Sequence, residues 1–72
     1  MDLKNALEGQ EYIIENINTN DEEMDSFLFS LGCYPGEIIT VIAQLKGGGI
    51  VSVKDGRYSI DNQLAMAITV KE

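Results

Sequence analysis

Residues 24–41 read MDSFLFSLGCYPGEIITV, and the reading of this stretch decides the fold. Met24, Phe27, Leu28 and Leu31 recur at i, i+3, i+4 and i+7, which sets all four on one face of an α-helix and predicts that face to be core. Gly32 follows, where a left-handed C-cap needs a residue without a Cβ. Pro35-Gly36 predicts a turn, because proline fixes φ at one central position and glycine takes positive φ at the next. The period then changes. Glu37 to Gln44 is short and β-branched, with Ile39, Val41 and Ala43 on one face and Ile38, Thr40 and Ile42 on the other. A brief helix thus re-enters a sheet through a fixed corner.

Working upstream, Glu11 to Ile17 (EYIIENI) predicts the first strand, with Tyr12, Ile14 and Ile17 facing one way although Ile13 breaks the alternation. Met1 to Glu8 reads as a helical turn or a lead-in strand, and Gly9-Gln10 as a turn. Asn18-Thr19-Asn20 stop the strand. Thr19 with Glu22, or Asn20 with Glu23, makes a capping box for a helix running from about Asp21 to Leu31. Phe29 lies off its apolar stripe.

Downstream, Leu45 to Gly49 reads as a connection; no GK[ST] arrangement and no helix follow it, so it is not a phosphate loop. Ile50 to Lys54 predicts a third strand with Val51 and Val53 inward. Asp55-Gly56 is a two-residue hairpin turn, and Arg57 to Ile60 returns as the fourth strand. Leu64 to Ala67 suits a single helical or 3₁₀ turn with Asp61 near its start, and Ile68 to Val70 closes the chain as a strand. The expected fold is all-β: one domain over residues 1–72, a small SH3-like barrel of about five strands with one short α-helix inserted after the first strand. Closure would remove the edges that short open ribbons leave exposed.

The composition excludes more than it suggests. Seventy-two residues with a formal charge of −7 make a poor partner for nucleic acid, since an acidic field repels phosphates. One cysteine cannot form an internal disulfide, and no histidine is present as proton shuttle or metal ligand. No constellation supports catalysis, so the expectation is no enzyme and no cofactor. No segment resembles a membrane span or a targeting leader, so a cytoplasmic protein that is not itself a membrane protein is expected. Cys33 reads as a small buried hydrophobe. Asp21, Glu22, Glu23 and Asp25 read chiefly as the acidic start of a helix; as metal ligands they are weak candidates, because consecutive helical side chains diverge. Recognition remains, with Tyr12, Phe29, Tyr34 and Tyr58 as possible anchors.

With those residues in view, the sequence resembles the FeoA family, small proteins associated with bacterial ferrous iron uptake. The resemblance runs from about Leu7 to Val70. Leu28, Leu31-Gly32, Pro35-Gly36, Ile39 and Val41 match its most specific signature. Gly9 and Ile17 match the opening segment, Val51, Val53 and Gly56 the later strand and hairpin, and Ala67, Ile68 and Val70 the terminal pattern. The resemblance implies an SH3-like barrel in the cytoplasm without enzymatic activity, and a role with the transporter FeoB, whose cytosolic part carries a G-protein domain. A related barrel ends iron- and manganese-dependent repressors, which gives the alternative of a divalent-metal-responsive regulatory module.

On this reading Phe29, Cys33, Tyr34, Pro35 and Glu37, near the helix-to-strand corner, are the candidate partner contacts. Leu28, Leu31, Gly32, Gly36, Ile39 and Val41 form the structural core behind them. Two departures make the surface more acidic than the family pattern. Asp61-Asn62-Gln63 stand where the family has an arginine-rich segment, and Asp25-Ser26-Phe27 where it often has a basic residue. Self-association is a further possibility, because the second strand is apolar on both faces.

Overall fold

The computed structural model describes residues 1–72. A 3₁₀ turn, Leu3–Asn5, leads into β1 (Glu11–Ile17), α1 (Glu22–Leu31), β2 (Ile38–Leu45), β3 (Gly48–Val53), β4 (Gly56–Asp61), α2 (Asn62–Ala67) and β5 (Ile68–Lys71).

Helix α1 begins one residue later than the capping-box reading places it. Its N-cap is Asp21, whose carboxylate accepts the Glu23 and Met24 amides at 3.0 and 3.3 Å. Thr19 instead donates its hydroxyl to the Asp25 carboxylate at 2.7 Å, and Asn20 takes φ 61 in the bend between them. The helix stops at Gly32, left-handed at φ 100, whose amide reaches back to the Leu28 and Phe29 carbonyls. The turn at Pro35-Gly36 is as expected: the Glu37 amide donates to the Tyr34 carbonyl at 3.1 Å, and Gly36 sits at φ 94.

The five strands are antiparallel in the order β4-β3-β2-β1-β5. This corrects the barrel. The sheet is open, and its two edge strands are not hydrogen-bonded to each other. The chain passes from one edge to the other through α2, capped by Asp61. The outer edge of β5 is occupied by the N-terminus: the Val70 amide donates to the Met1 carbonyl at 2.7 Å and the Met1 ammonium to the Val70 carbonyl at 3.3 Å. With β5 satisfied in this way, β4 is left as an edge.

Two bulges interrupt the alternation of inward and outward side chains, the first keeping Ile17 inward and the second turning Ala43 away from the face of Val41. The register slips between Ile14 and Asn16, so Ile14 and Ile17 share a face opposite Val70 and Ile68. A second slip between Val41 and Ala43 falls at Ile42. The hairpins also differ from expectation. Gly48 and Gly49 belong to β3 and only Lys46-Gly47 form the turn. A Cβ at Gly48 would strike the Ile60 carbonyl, so a glycine is required where β3 passes β4. The second turn is Lys54-Asp55, one residue early, with Lys54 at φ 54 and Gly56 paired with Val53.

Tyr12, Ile14, Ile39, Val41, Val51, Val53, Ile60, Ile68 and Val70 form the sheet's share of the core, closed by Leu3, Ala6, Leu28, Cys33 and Ala65. The Tyr12 hydroxyl accepts the Leu7 amide at 2.8 Å, so its burial leaves no polar group unpaired. The helical stripe is a second correction. Only Leu28 is fully buried and Leu31 half-buried, while Met24 and Phe27 are 38% and 56% exposed. The stripe is wider than the surface the sheet offers it. Ile38, on the outer face of β2, is likewise left exposed rather than covered by the helix.

Candidate partner-binding surface

Two surfaces flank the C-terminal half of α1. On one side is the helix-to-strand corner. The cap at Gly32 and the turn at Pro35-Gly36 fold Tyr34 back against the helix, with its ring 5.0 Å from that of Phe29 and tilted by 40°. The Lys54-Asp55 turn brings a third group. The aliphatic stem of Lys54 lies over Gly32, where a Cβ would come within 2.6 Å of its Cγ. The Lys54 ammonium sits 5.6 Å from the Tyr34 ring centroid and 2.8 Å from Glu37 Oε2.

The electrostatics are local and mutual. The hydrogen bond from Lys54 holds the Glu37 carboxyl below its ordinary value, helped by the Ile38 amide. The same bond raises the Lys54 ammonium. Phe29 remains 64% exposed at the outer end of this stack. The result is an aromatic platform whose one cation and one anion neutralise each other. It suits recognition of an apolar or mixed surface.

Of the candidate contacts, the fold therefore brings Phe29, Tyr34 and Glu37 together, with Pro35 exposed on the turn beside them. It separates Cys33, which is 5% exposed with its thiol pushed up by burial. Lys54 was not foreseen, because its role appears only once two distant turns meet. The acidic group does not converge either. Asp21 caps the helix, Asp25 accepts from Thr19, and Glu22 and Glu23 face solvent. No three His, Cys, Asp or Glu side chains come together as a metal-holding set.

On the other side of α1 is a groove of about 320 Å³, walled by Phe27 and Leu31 and by Tyr58, Ile60 and Leu64, with Cys33 in its lining. A more polar cleft of about 570 Å³ continues it between the α1 N-cap and α2, sharing Ser59, Ile60 and Leu64. Sequence periodicity assigned Phe27 and Leu31 to the core; they are groove walls. At the acidic departure from the family pattern, Asp61 accepts the Leu64 amide at 2.8 Å and so serves the fold. No helix is long and apolar enough to cross a membrane.

The family model of the FeoA domain matches residues 1–72. This chain belongs to the FeoA family. A solved structure titled as the iron uptake regulatory protein FeoA is 30% identical, with a TM-score of 0.83 over 99% of this chain and 93% of that one. A manganese-dependent transcriptional repressor shares the fold at 20% identity and a TM-score of 0.87, and an IdeR from T. acidophilum is 25% identical with a TM-score of 0.83. The FeoA chain covers 40% and 33% of those two proteins. No curated protein matched it. As a FeoA domain, the chain is a non-enzymatic accessory component of ferrous iron uptake.

Proposed function

We propose that this protein acts in the cytoplasm by binding the cytosolic part of a FeoB-type ferrous iron transporter through the helix-to-strand corner, and so modulates transport. The observation that carries this reading is the exposed Phe29 ring fixed against Tyr34, itself held by Lys54 and Glu37. An exposed aromatic with its orientation already set loses little rotamer freedom on binding, which is the property of an interface anchor. Pro35 extends the platform and adds no flexibility.

The test is an amide chemical-shift titration of the labelled protein with the purified cytosolic domain of the transporter from the same organism, guanine nucleotide present. Saturable shifts centred on residues 29–37 and 54 are expected. Phe29→Ala, an exposed site, should weaken affinity about tenfold or more with little change in thermal stability. Full affinity in both Phe29→Ala and Tyr34→Ala would remove the corner from consideration. The likeness to metal-responsive repressors is one of fold, and no converging donor set accompanies it.

A further inference from the structure

The free edge of β4 is self-complementary. The Asn62 amide donates to the Gly47 carbonyl at 3.1 Å, which marks that pair as a hydrogen-bonded position beyond the Gly48–Asp61 register. Antiparallel ladders alternate, so Gly49–Ile60, Val51–Tyr58 and Val53–Gly56 are the other bonded pairs. The backbone groups of Arg57, Ser59 and Asp61 therefore point away from β3, toward a side on which β4 pairs with no strand.

We infer that this edge pairs with β4 of a second copy of the chain, antiparallel about a two-fold axis through Ser59. In that register Arg57 lies opposite Asp61 of the other copy, twice, and Tyr58 lies opposite Ile60, twice. The outward N–H and C=O groups of Arg57 and Ser59 and the N–H of Asp61, whose carbonyl opens α2, face the second copy in the same step. Charge complementarity selects this occupant. Arg57 makes no salt bridge within its own chain, and one oxygen of the Asp61 carboxylate already accepts the Leu64 amide, leaving the other for the second copy. Opposite charges and an aromatic against a β-branched residue are the cross-strand pairs that stabilise sheets. The apolar groove supports the same arrangement, because Tyr58 and Ile60 already form one of its walls and the incoming pair lies alongside it. An isologous interface of this kind closes on itself as a dimer and leaves no further edge to propagate.

Sedimentation equilibrium of the purified protein over a concentration series up to millimolar tests this. A monomer–dimer equilibrium is expected. Ser59→Pro removes the central outward amide without removing a bond between β4 and β3, a position where an edge strand tolerates proline, and should leave a folded monomer. R57D places like charges opposite at both ends and should raise the dissociation constant about tenfold. D61K should do the same, with circular dichroism checking that α2 survives the loss of its cap. Mixing R57D with D61K restores opposite charges at both ends, so a heterodimer should form where neither variant dimerises alone. A wild-type protein that stays monomeric throughout overturns the inference, as does a dimer indifferent to both Ser59→Pro and R57D.

Discussion

Glu37 and Lys54 meet at 2.8 Å with side chains 23% and 50% exposed, so their pairing acts more by orienting Tyr34 than by stabilising the fold. The signs of the two perturbations define when it holds. Glu37 has a folded pKa below its unfolded one, so its contribution is present above the ordinary carboxylate value and lost as pH falls through the lower, folded value. Lys54 is raised, so its contribution is complete below the ordinary lysine value and lost as pH rises through the folded one. The pair is intact across the whole neutral range. Carboxyl carbon shifts should give Glu37 a midpoint below the ordinary glutamate value, moving back toward it in Lys54→Met. An identical midpoint in the variant would show that Lys54 is not the cause. At this scale the sequence is readable where a residue answers to its immediate neighbours. Pro35-Gly36 dictates its turn, and Gly32 its cap. Lys54 could not be read, because it answers to Gly32, Tyr34 and Glu37, all far from it along the chain.

The elements show the same division. The existence of α1, the extent of β1 and the presence of a short helix capped by Asp61 all follow from local pattern, although α2 starts at Asn62, two residues before the expected turn. The cap of α1 lay among several adjacent polar residues, and geometry chose Asp21 over Thr19 and Asn20. Asp21→Ala should therefore destabilise the protein by about 1 kcal/mol in urea unfolding, while Asp21→Asn, which can still accept the amides, should cost much less. Equal losses in the two variants would mean that charge near the helix start, rather than capping, matters there. How deeply α1 is buried was not legible. A hydrophobic stripe states which side of a helix is apolar, not how much sheet lies opposite it. Met24 and Phe27 therefore stay exposed, and the residues taken for inert packing shape a groove. The bulges at Glu15 and Ile42 are also tertiary in origin: the first returns Ile17 to the face of Ile14, and the second takes Ala43 off the face that period-two counting gave it.

For the molecule as a whole, five antiparallel strands and an inserted helix could be inferred, but closure could not. Turns specify which consecutive strands pair. Whether the first and last edges join depends on what else can reach them, and here Met1 and Asp2 reach β5. Removing those two residues should expose the Val70 amide, accelerating its hydrogen exchange about tenfold or more while amides in β2 and β3 change little. Unaltered protection at Val70 would mean that the edge is shielded by something other than the N-terminal strap. The corner itself was found in the sequence because its residues are nearly contiguous, whereas the groove, assembled from α1, β4 and α2, was not.

The strap from Met1 to Val70 joins positions 69 residues apart. During synthesis Met1 must wait for Val70 to emerge before its carbonyl and amine find their partners. The meander β2-β3-β4 is joined by two-residue turns and can zip as soon as it emerges, since its closure distances are short. Strand β1 then holds one side on β2 and has its other side open until β5 leaves the exit tunnel. Strand β1 thus passes through an unsheltered interval, and the time taken for the residues between β2 and β5 to be translated and to emerge sets its length.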